Sequence, residues 1–515
     1  MGDRGNNNRL DAFINYLKKY KETRLEYKEK QKKRSKEDRH KKSIKENKLL
    51  SAIKKEPGVK GIFTYFRQMN SRQKQVLLSR ILLILSVIFL IVAVVFFVKA
   101  DKNKKKQIKE EEQKISQQIA ESESAQEEKW NELITSANKI ADGYDYEKAI
   151  NLLKSEEGYG QSQEVLDAIA EYEAKAQTLV EYPDVTTITH VFFHSLIVDT
   201  DKAFDGEYTQ DGYNQVMTTV DEFNKIMEQM YEKGYVLVSI KDVATLGTDE
   251  NGVEKYMPGK IMLPEGKIPF VLSVDDVSYY EYMEGDGFAN RLVIQEDGRP
   301  TNEMDMEDGS VQRGDFDVVS CLETFIENHP DFSYKGARGI LALTGYDGVL
   351  GYRTDPSFSE LPDYNEQIEK AKQVAEGLKN WGWEFASHSY GHINYGEISM
   401  ERLQADATKW QDTVASIIGD TDILIYPFGA DIGDWHDYSG EKFDYLKSMG
   451  FHYFCNVDSA PAWVQLRDNY VRQGRRNLDG DRMYQDMIHE DQDYLSDLFD
   501  VSSVFDEARP LPVPH

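Results

Sequence analysis

The chain has only two cysteines, Cys321 and Cys455, among its 515 residues. Two cysteines cannot form a disulfide framework, and the absence of a Cys-x-x-Cys pair excludes a cysteine-type zinc site. One bridge remains open, but both residues lie in apolar runs, where a free thiol behaves as a small hydrophobe. The sequence therefore excludes the class of small domains held together by several disulfides.

Positive charge is scarce beyond residue 80. Residues 1–80 carry 24 Lys and Arg against 9 Asp and Glu, a net charge of +15, whereas the whole chain carries -28. The remainder is therefore strongly acidic, and no nucleic-acid partner is expected because an acidic surface repels polyanions. Neutral or cationic polymers suit it better; a merely soluble surface is the alternative explanation.

Charge is absent from one long stretch. Residues 81–98 form an apolar run without a charged side chain. At about 1.5 Å per residue this run spans a bilayer. It begins too far from the N-terminus for a cleaved signal peptide, so a transmembrane signal anchor is predicted over residues 76–98. Because more Lys and Arg precede the run than follow it, residues 1–75 are predicted to be cytoplasmic and the rest extracellular, in a single-pass protein of the cell membrane.

The basic arm, residues 1–75, is low in apolar residues and is predicted to be largely disordered or helical. Beside a membrane, it would be attracted to anionic lipid headgroups. Residues 99–180 show a helical period, and the Trp130-x-x-Leu133 start and the Tyr146-Glu-Lys-Ala-Ile run resemble a tetratricopeptide unit. Only about one repeat is present, so a helical stalk is predicted there rather than a peptide-binding array.

From residue 181 onward, strand-like runs alternate with helical runs, which predicts an α/β fold with a parallel sheet. The strand-like runs are 189–193, 235–238, 270–274, 339–343, 384–387 and 423–426, and the helical runs are 214–233, 364–380, 400–418 and 440–449. Residues 281–335 are acidic and glycine-rich, and we predict that they form an insertion beside the mouth of the site.

Two short motifs carry candidate chemistry. A strand-like run ends in Asp275 and Asp276, and α/β folds place their active sites at such strand ends. His388 and His392, four residues apart, follow another strand-like run. One carboxylate and two imidazoles are a ligand set of catalytic zinc, which leaves the second carboxylate free to act as a base on water. Taken alone, the Asp pair also fits a turn or a helix cap, and the His pair also fits an unliganded surface.

Residues 188–465 resemble the polysaccharide deacetylase domain of carbohydrate esterase family 4, also called the NodB-homology domain. That family reads Thr-Phe-Asp-Asp, His-Ser-x-x-His and Pro-Tyr-Gly at its first three motifs. This chain reads Ser273-Val-Asp-Asp276, His388-Ser-Tyr-Gly-His392 and Tyr426-Pro-Phe-Gly429 in the same order. The opening Phe192-Phe-His194 resembles the subgroup that acts on poly-N-acetylglucosamine. The resemblance implies a distorted (β/α) barrel over residues 181–515.

The resemblance also implies residue roles. Asp276, His388 and His392 would bind a divalent metal; Zn²⁺ is the expected ion, with Co²⁺ or another divalent ion as alternatives. Asp275 would be the general base, and the backbone N–H of Phe428 would help to bind the oxyanion. The expected substrate is an N-acetylglucosamine-containing polysaccharide of the cell wall or an exported polymer.

Two positions depart from the family. Its tethering arginine before the third motif is replaced by Ile425 here, and its late Leu-x-His, the general acid, has no clean match. His489 and His194 are weak candidates for the acid. Arg353, Arg475 and Arg476 are candidates for the tether, although a solvated surface position is favoured for each.

Two other functions stay open. One is a catalytically weak module of the same fold that binds glycan or serves as a scaffold, and the other is an O-acetyl esterase, which needs less help from an acid. Four aromatic residues in glycine- and aspartate-rich loops fit either sugar stacking or packing: Tyr346, Tyr352, Trp435 and Trp463.

Overall fold

The computed structural model describes residues 63, 66–67, 70–434, 436–458, 460–489 and 493–515. The predicted basic arm, residues 1–75, therefore lies almost wholly outside the described residues. The described part of the chain divides into two units after Ser122.

The helices are α1 Ser71–Asp142, α2 Tyr146–Ser155, α3 Gln163–Ala176, α4 Thr200–Ala203, α5 Gln210–Val216, α6 Val220–Glu232, α7 Ile240–Val243, α8 Val318–Asn328, α9 Tyr364–Asn380, α10 Met400–Trp410, α11 Ser416–Ile418, α12 Glu441–Ser448, α13 Gly480–Ile488 and α14 Val501–Val504. The strands are β1 Val180–Glu181, β2 Thr189–Phe193, β3 Leu196–Ile197, β4 Thr218–Thr219, β5 Tyr235–Leu237, β6 Ala244–Thr248, β7 Glu254–Pro258, β8 Met262–Leu263, β9 Ile268–Val274, β10 Arg291–Ile294, β11 Pro300–Asp305, β12 Val311–Gly314, β13 Ile340–Leu343, β14 Glu384–Ser387, β15 Ile423–Ile425, β16 Tyr453–Val457, β17 Val464–Arg467 and β18 Tyr470–Asn477.

Helix α1 is a single helix of 72 residues that contains the apolar run 81–98. Its most apolar window has a mean hydropathy of 3.5, and none of that window is buried among the described residues. By length and composition, this part of α1 is a candidate membrane anchor.

The end of α1 packs with α2 and α3 around a small apolar core that includes Ala137, Leu153, Val165 and Tyr172. Asp145 caps α2 and Ser162 caps α3, which satisfies free N–H groups at both helix starts.

Seven parallel strands close into a barrel in the order β13, β14, β15, β16, β18, β2, β9 and back to β13. β5 pairs in parallel with the first residues of β9, 268–270, and β17 pairs antiparallel with β18. The contact between β14 and β15 is reduced to one register pair, Ser387 with Leu424. This architecture confirms the predicted distorted (β/α) barrel.

Alternation along each strand separates the barrel interior from the helix-facing layer. In β9, Phe270 and Leu272 belong to the cluster that packs under the helices, whereas Val271 belongs to the interior cluster. The same alternation turns Ser273 and then Asp275 inward. Polar interior positions are therefore grouped toward the carboxyl ends of the strands.

Two predicted helices differ from the structure, and the barrel strands β16 and β18 were not predicted. The predicted helix 214–233 is broken, because α5 ends at Val216 and α6 begins after Thr219, whose side chain forms a capping box with Glu222. The predicted helix 400–418 contains a π-helical segment, Gln411–Ala415. Strand β18 was not predicted, since its run of Arg, Gln and Asn does not read as a buried strand.

Residues 281–335, predicted as an insertion, contain regular structure. Strands β10, β11 and β12 form a separate antiparallel sheet, and α8 contributes buried residues to the main core. Asp317 caps α8, and its Oδ1 accepts hydrogen bonds from the backbone N–H groups of Leu196 and Val318. Burial raises the pKa of Asp317 to about 6, although these donors and Tyr279 oppose the shift.

When folding raises the pKa of a carboxyl group, ionisation of that group destabilises the folded state. Asp317 should therefore cost stability progressively as pH rises from about 4, its unfolded pKa, to about 6. We expect Asp317→Asn to increase the free energy of unfolding by roughly 2 kcal/mol more at pH 7.5 than at pH 4.5. Denaturant unfolding at both pH values measures this, with the exposed cap variant Asp500→Asn as control. An equal effect at both pH values would contradict it.

Candidate metal centre

Three predicted ligands lie together at the carboxyl ends of the barrel strands. Asp276 follows β9, and His388 and His392 lie in the loop after β14. One possible ligand atom from each lies within 4.8 Å of the others. Nε2 of His392 is 3.6 Å from Oδ2 of Asp276. Two ligands of one tetrahedral Zn²⁺ would be about 3.3 Å apart, so this spacing suits a shared cation.

Asp276 turns away from the strand direction of β9. It has a φ of 60°, a left-handed conformation that aspartate adopts more readily than most residues. Tyr280 donates a hydrogen bond from its hydroxyl to Oδ1 of Asp276 at 2.5 Å, and the Thr344 hydroxyl is 2.7 Å from the same Tyr280 oxygen. These contacts fix the carboxylate with Oδ2 on the side of His392.

The loop that carries both histidines is held by Asp406, on α10. Its carboxylate accepts hydrogen bonds from the backbone N–H of Tyr390 at 2.8 Å and of Gly391 at 2.9 Å. Within the loop, Ser389 has a φ of 56° and His392 a φ of 49°, so the chain coils tightly between the two imidazoles. The pair of histidines in the sequence did not indicate Asp406, because that residue lies on the following helix.

The orientation of His388 is fixed by the backbone of the neighbouring strand. Its Nδ1 lies 2.9 Å from the carbonyl oxygen of Ile425, which can only accept, so Nδ1 carries the proton. The lone pair of Nε2 is then available to a metal, in the arrangement that metal-binding histidines commonly show. Ile425, which stands where the resembled family has its tethering arginine, therefore acts through its backbone carbonyl group.

The charge state of the site suits metal binding. Burial lowers the pKa of His392, and the nearby Asp276 carboxylate opposes this only in part. A neutral imidazole is the form that binds a metal. Two imidazole nitrogens and one carboxylate oxygen match Zn²⁺ chemistry, so the residues present fit such an ion.

Asp275 is held by a buried arginine. Nη1 and Nη2 of Arg475 donate to its Oδ1 and Oδ2 at 2.7 and 2.9 Å, and the Arg475 side chain has no exposed surface. Burial alone would raise the pKa of Asp275, but Arg475, with a smaller contribution from His388, holds it well below its usual range. Asp275 is therefore ionised, with Oδ2 4.0 Å from Nε2 of His388.

A buried polar layer supports this pair. Ser273 accepts a hydrogen bond from Nη1 of Arg475 at 3.1 Å and is 2.9 Å from Nε2 of His190. Nδ1 of His190 is 3.2 Å from the side-chain oxygen of Gln473. Burial lowers the pKa of His190 well below its ordinary value, and Arg475 lowers it further, so this imidazole is neutral.

The expectation that the three candidate arginines are solvated is wrong. Arg475 pairs with Asp275, and Arg476, which is 4% exposed, pairs with Asp497. Arg353 donates to Glu284 and to the carbonyl oxygen of Tyr279. All three side chains are therefore largely or fully buried. The alternation Val471, Gln473, Arg475 would have placed Arg475 inside the barrel, had β18 been recognised.

Phe428 lies beside the ligands, in the single 3₁₀ turn Pro427–Gly429. Its φ is 59°, and its ring centroid is 4.4 Å from that of His392. A Cβ at Gly429 would lie 2.5 Å from Cβ of Val457, so glycine is required there. This turn brings the backbone of Phe428 to the edge of the site.

The two candidate acids lie in different places. His194 follows β2, and its Nδ1 is 3.0 Å from the carbonyl oxygen of Val216, so Nδ1 carries a proton and Nε2 remains available. The backbone N–H of Asp275 donates to the carbonyl oxygen of Phe193 at 2.8 Å, so His194, the next residue, lies at the strand ends beside Asp275. His489 is exposed at the end of α13. The structure therefore brings His194, and not His489, to the site.

The aromatic candidates for sugar binding are mostly engaged in packing. Tyr346 stacks on Tyr280 with ring centroids 4.7 Å apart, and Tyr352 is buried and donates to a carbonyl group. Trp463 packs against the guanidinium of Arg472. Trp435 lies outside the described residues.

Residues 364–454 match the family model described as "Polysaccharide deacetylase". The matched segment includes both histidines and Phe428, and ends before Arg475. This segment of the chain is therefore similar to the polysaccharide deacetylase family. No curated protein matches the chain.

Two solved structures are similar to this chain. Streptococcus pyogenes deacetylase PplD, in complex with acetate, is 11% identical, with a TM-score of 0.32, and the match covers 61% of this chain and 100% of that one. A de-N-acetylase from Aggregatibacter actinomycetemcomitans is 15% identical, with a TM-score of 0.32 and coverage of 57% and 95%. TM-scores this low support no conclusion about the activity of this chain.

Removal of the Arg475 side chain should destabilise the barrel. Arg475→Ala leaves the Asp275 carboxylate buried without its partner, and we expect a loss of about 3–5 kcal/mol in the free energy of unfolding. Arg475→Lys should lose less, since it keeps the charge but not the bidentate geometry. Denaturant unfolding measures this, with Arg467→Ala, which removes an exposed pair with Asp437, as control. Equal losses in Arg475→Ala and the control would contradict the assignment.

Proposed function

We propose that this protein is a membrane-anchored, divalent-metal-dependent deacetylase that hydrolyses N-acetyl groups of N-acetylglucosamine-containing polysaccharide in the cell wall or in an exported polymer. The observation that carries this proposal is the convergence of Asp276, His388 and His392 beside an ionised carboxylate held by Arg475. The match of residues 364–454 to the polysaccharide deacetylase model supports the same class of reaction.

Asp276, His388 and His392 would hold the ion; Zn²⁺ is expected, and Co²⁺ or another divalent ion would serve the same ligands. When bound, such an ion lowers the pKa of water and polarises the acetyl carbonyl group. The hydrogen bonds from Tyr280 and to Ile425 keep two of the ligands in place, so little reorganisation is needed on binding.

Asp275 is the proton acceptor in this mechanism. A water adds to the acetamide carbonyl carbon, and its proton passes to an oxygen of Asp275. Arg475 keeps that carboxylate ionised and fixed. The backbone N–H of Phe428 donates to the oxyanion that forms. The carbon–nitrogen bond then breaks, which releases acetate and leaves an amine on the sugar.

His194 is the proton donor to that amine. An amide nitrogen is a poor leaving group until it is protonated, so an acid is needed on its side of the site. The contact of Nδ1 with the Val216 carbonyl oxygen leaves Nε2 to carry the transferred proton when the imidazole is charged. The presence of His194 favours an N-deacetylase over a glycan-binding scaffold and over an O-acetyl esterase.

The candidate anchor in α1 sets the proposed location. The protein would span the cell membrane once, with residues 1–75 in the cytoplasm and the barrel outside, where it meets the polysaccharide. The basic arm would bind anionic lipid headgroups, and no nucleic-acid partner is proposed.

Acetate release tests the proposed reaction. The full chain in detergent with Zn²⁺ or Co²⁺ should release acetate from N-acetylglucosamine oligomers and from peptidoglycan, and a chelator should abolish the release. Asp275→Asn should lower kcat by roughly 10²–10⁴-fold, because the carboxylate no longer accepts the proton. The exposed variant Asp412→Asn is the matched control. Chelator-resistant acetate release would exclude the mechanism.

Two substrates with different leaving groups test whether His194 is the acid. His194→Ala should lower N-deacetylation by roughly 10²-fold or more, yet affect hydrolysis of 4-nitrophenyl acetate much less, since that leaving group needs no protonation. His489→Ala should leave both rates unchanged. If His194→Ala lowers both rates equally, His194 has a structural role and is not the acid.

A further inference from the structure

An open cavity of about 490 Å³ lies directly beside the Phe428 turn. Its lining includes Gly429, which follows Phe428, and Asn394, which is two residues beyond His392. Since the Phe428 ring contacts His392, this cavity adjoins the candidate metal centre. Its volume lies in the range of sites that hold small ligands. We call it the acidic subsite.

Four carboxylates line the acidic subsite, and one is already neutralised. Asp431 pairs with the buried guanidinium of Arg472. The terminal nitrogens of Arg472 also donate to the carbonyl oxygens of Asp434 and His436, although its Nε has no partner among the described residues. The three remaining carboxylates, of Glu397, Asp434 and Asp458, leave the cavity with a surplus of negative charge.

A buried acceptor also lines this cavity without a partner. Asn456, at the end of β16, is only 8% exposed, and its Oδ1 has no hydrogen bond among the described residues. An unpaired buried acceptor costs about 1–3 kcal/mol, so such groups normally have a partner. Oδ1 of Asp458 accepts from the backbone N–H of Ala460, and the other carboxylate oxygens and Oδ1 of Asn456 can likewise only accept hydrogen bonds. The subsite therefore suits a ligand that is cationic and rich in donors.

We propose that the acidic subsite binds a glucosamine unit, through its ammonium and hydroxyl groups, next to the N-acetylated unit at the metal centre. This inference rests on the proposed function, because deacetylation of N-acetylglucosamine creates such an ammonium group. The Asp434 and Asp458 carboxylates pair with the ammonium, and Oδ1 of Asn456 accepts from the same sugar. A neutral N-acetyl group offers one N–H donor and no charge there.

The arrangement gives the enzyme a preference for chains that already carry free amines. A unit deacetylated in one event would occupy the acidic subsite in the next, so modified units should be formed near existing ones. An initial deacetylation should raise the rate of later ones on the same chain, until no N-acetyl unit remains for the metal centre.

Direct binding tests the subsite independently of catalysis. The full chain in detergent with Zn²⁺ is titrated calorimetrically at pH 6 with a glucosamine pentamer and with an N-acetylglucosamine pentamer. Asp434→Asn/Asp458→Asn should weaken binding of the glucosamine pentamer about tenfold, and that of the N-acetylated pentamer less than about twofold. Asn suits the left-handed φ of Asp434, 43°, so this variant should fold. The exposed variant Asp412→Asn is the matched control.

Added salt should weaken the binding of the glucosamine pentamer to the unmodified chain, because the contact is ionic. The difference in affinity between the unmodified chain and the variant should therefore become smaller. Equal affinities of variant and parent for the glucosamine pentamer would overturn the subsite. The subsite would also be overturned if the unmodified chain bound Ca²⁺ in the cavity but did not bind the glucosamine pentamer.

Acetate release by the same preparations separates the two proposals. If the parent releases acetate but the double variant keeps its affinity for the glucosamine pentamer, the subsite fails and the deacetylase stands. If the parent releases no acetate but binds the glucosamine pentamer through Asp434 and Asp458, the deacetylase fails and the subsite stands.

Discussion

The ion pair between Asp275 and Arg475 is the interaction on which the site depends. Removing two charges from water costs several kcal/mol per ion, which is recovered only where the geometry is close and the remaining donors are bonded. Here the guanidinium spans both carboxylate oxygens and also donates to Ser273, although its Nε has no partner among the described residues. The pair joins β9 to β18 across β2, so closure of the barrel and ionisation of Asp275 are parts of the same arrangement. A barrel without this contact would have an unpaired charge at its centre.

The barrel interior changes from apolar to polar along its strands. Val271 and Val471 belong to the apolar part of the interior, and the next inward positions of their strands, Ser273 and Gln473, form a polar group with His190. Because side chains alternate along a strand, the next inward position of β9 is Asp275 and the next of β14 is His388. The candidate catalytic groups therefore continue the interior pattern, and the polar side chains next to them supply the hydrogen bonds that charged groups need inside a protein.

Left-handed residues shape the rim of the site. Asp276, Ser389, His392 and Phe428 all have positive φ, a conformation that costs non-glycine residues energy and is concentrated at functional sites. Hydrogen bonds from Tyr280 and to Asp406 stabilise these turns. The Phe428 turn contacts His392 of the candidate metal centre, and Gly429 of the same turn lines the proposed acidic subsite, so one local conformation would serve both.

Local sequence determined the helical anchor candidate, the α/β class, and the residue types of the metal site, because hydrophobic period and short motifs are local properties. It also indicated which strand ends carry Asp275, Asp276 and His388. It offered Arg475 only as one of three candidate arginines and gave no sign of Asp406 or Tyr280, since each acts through a contact that forms only when the chain folds. β18 was missed because its inward side chains are polar, and their burial depends on partners from β2 and β9. Which histidine approaches the site was likewise decided by tertiary structure: Val216 and His194 meet only once α5 packs beside β2.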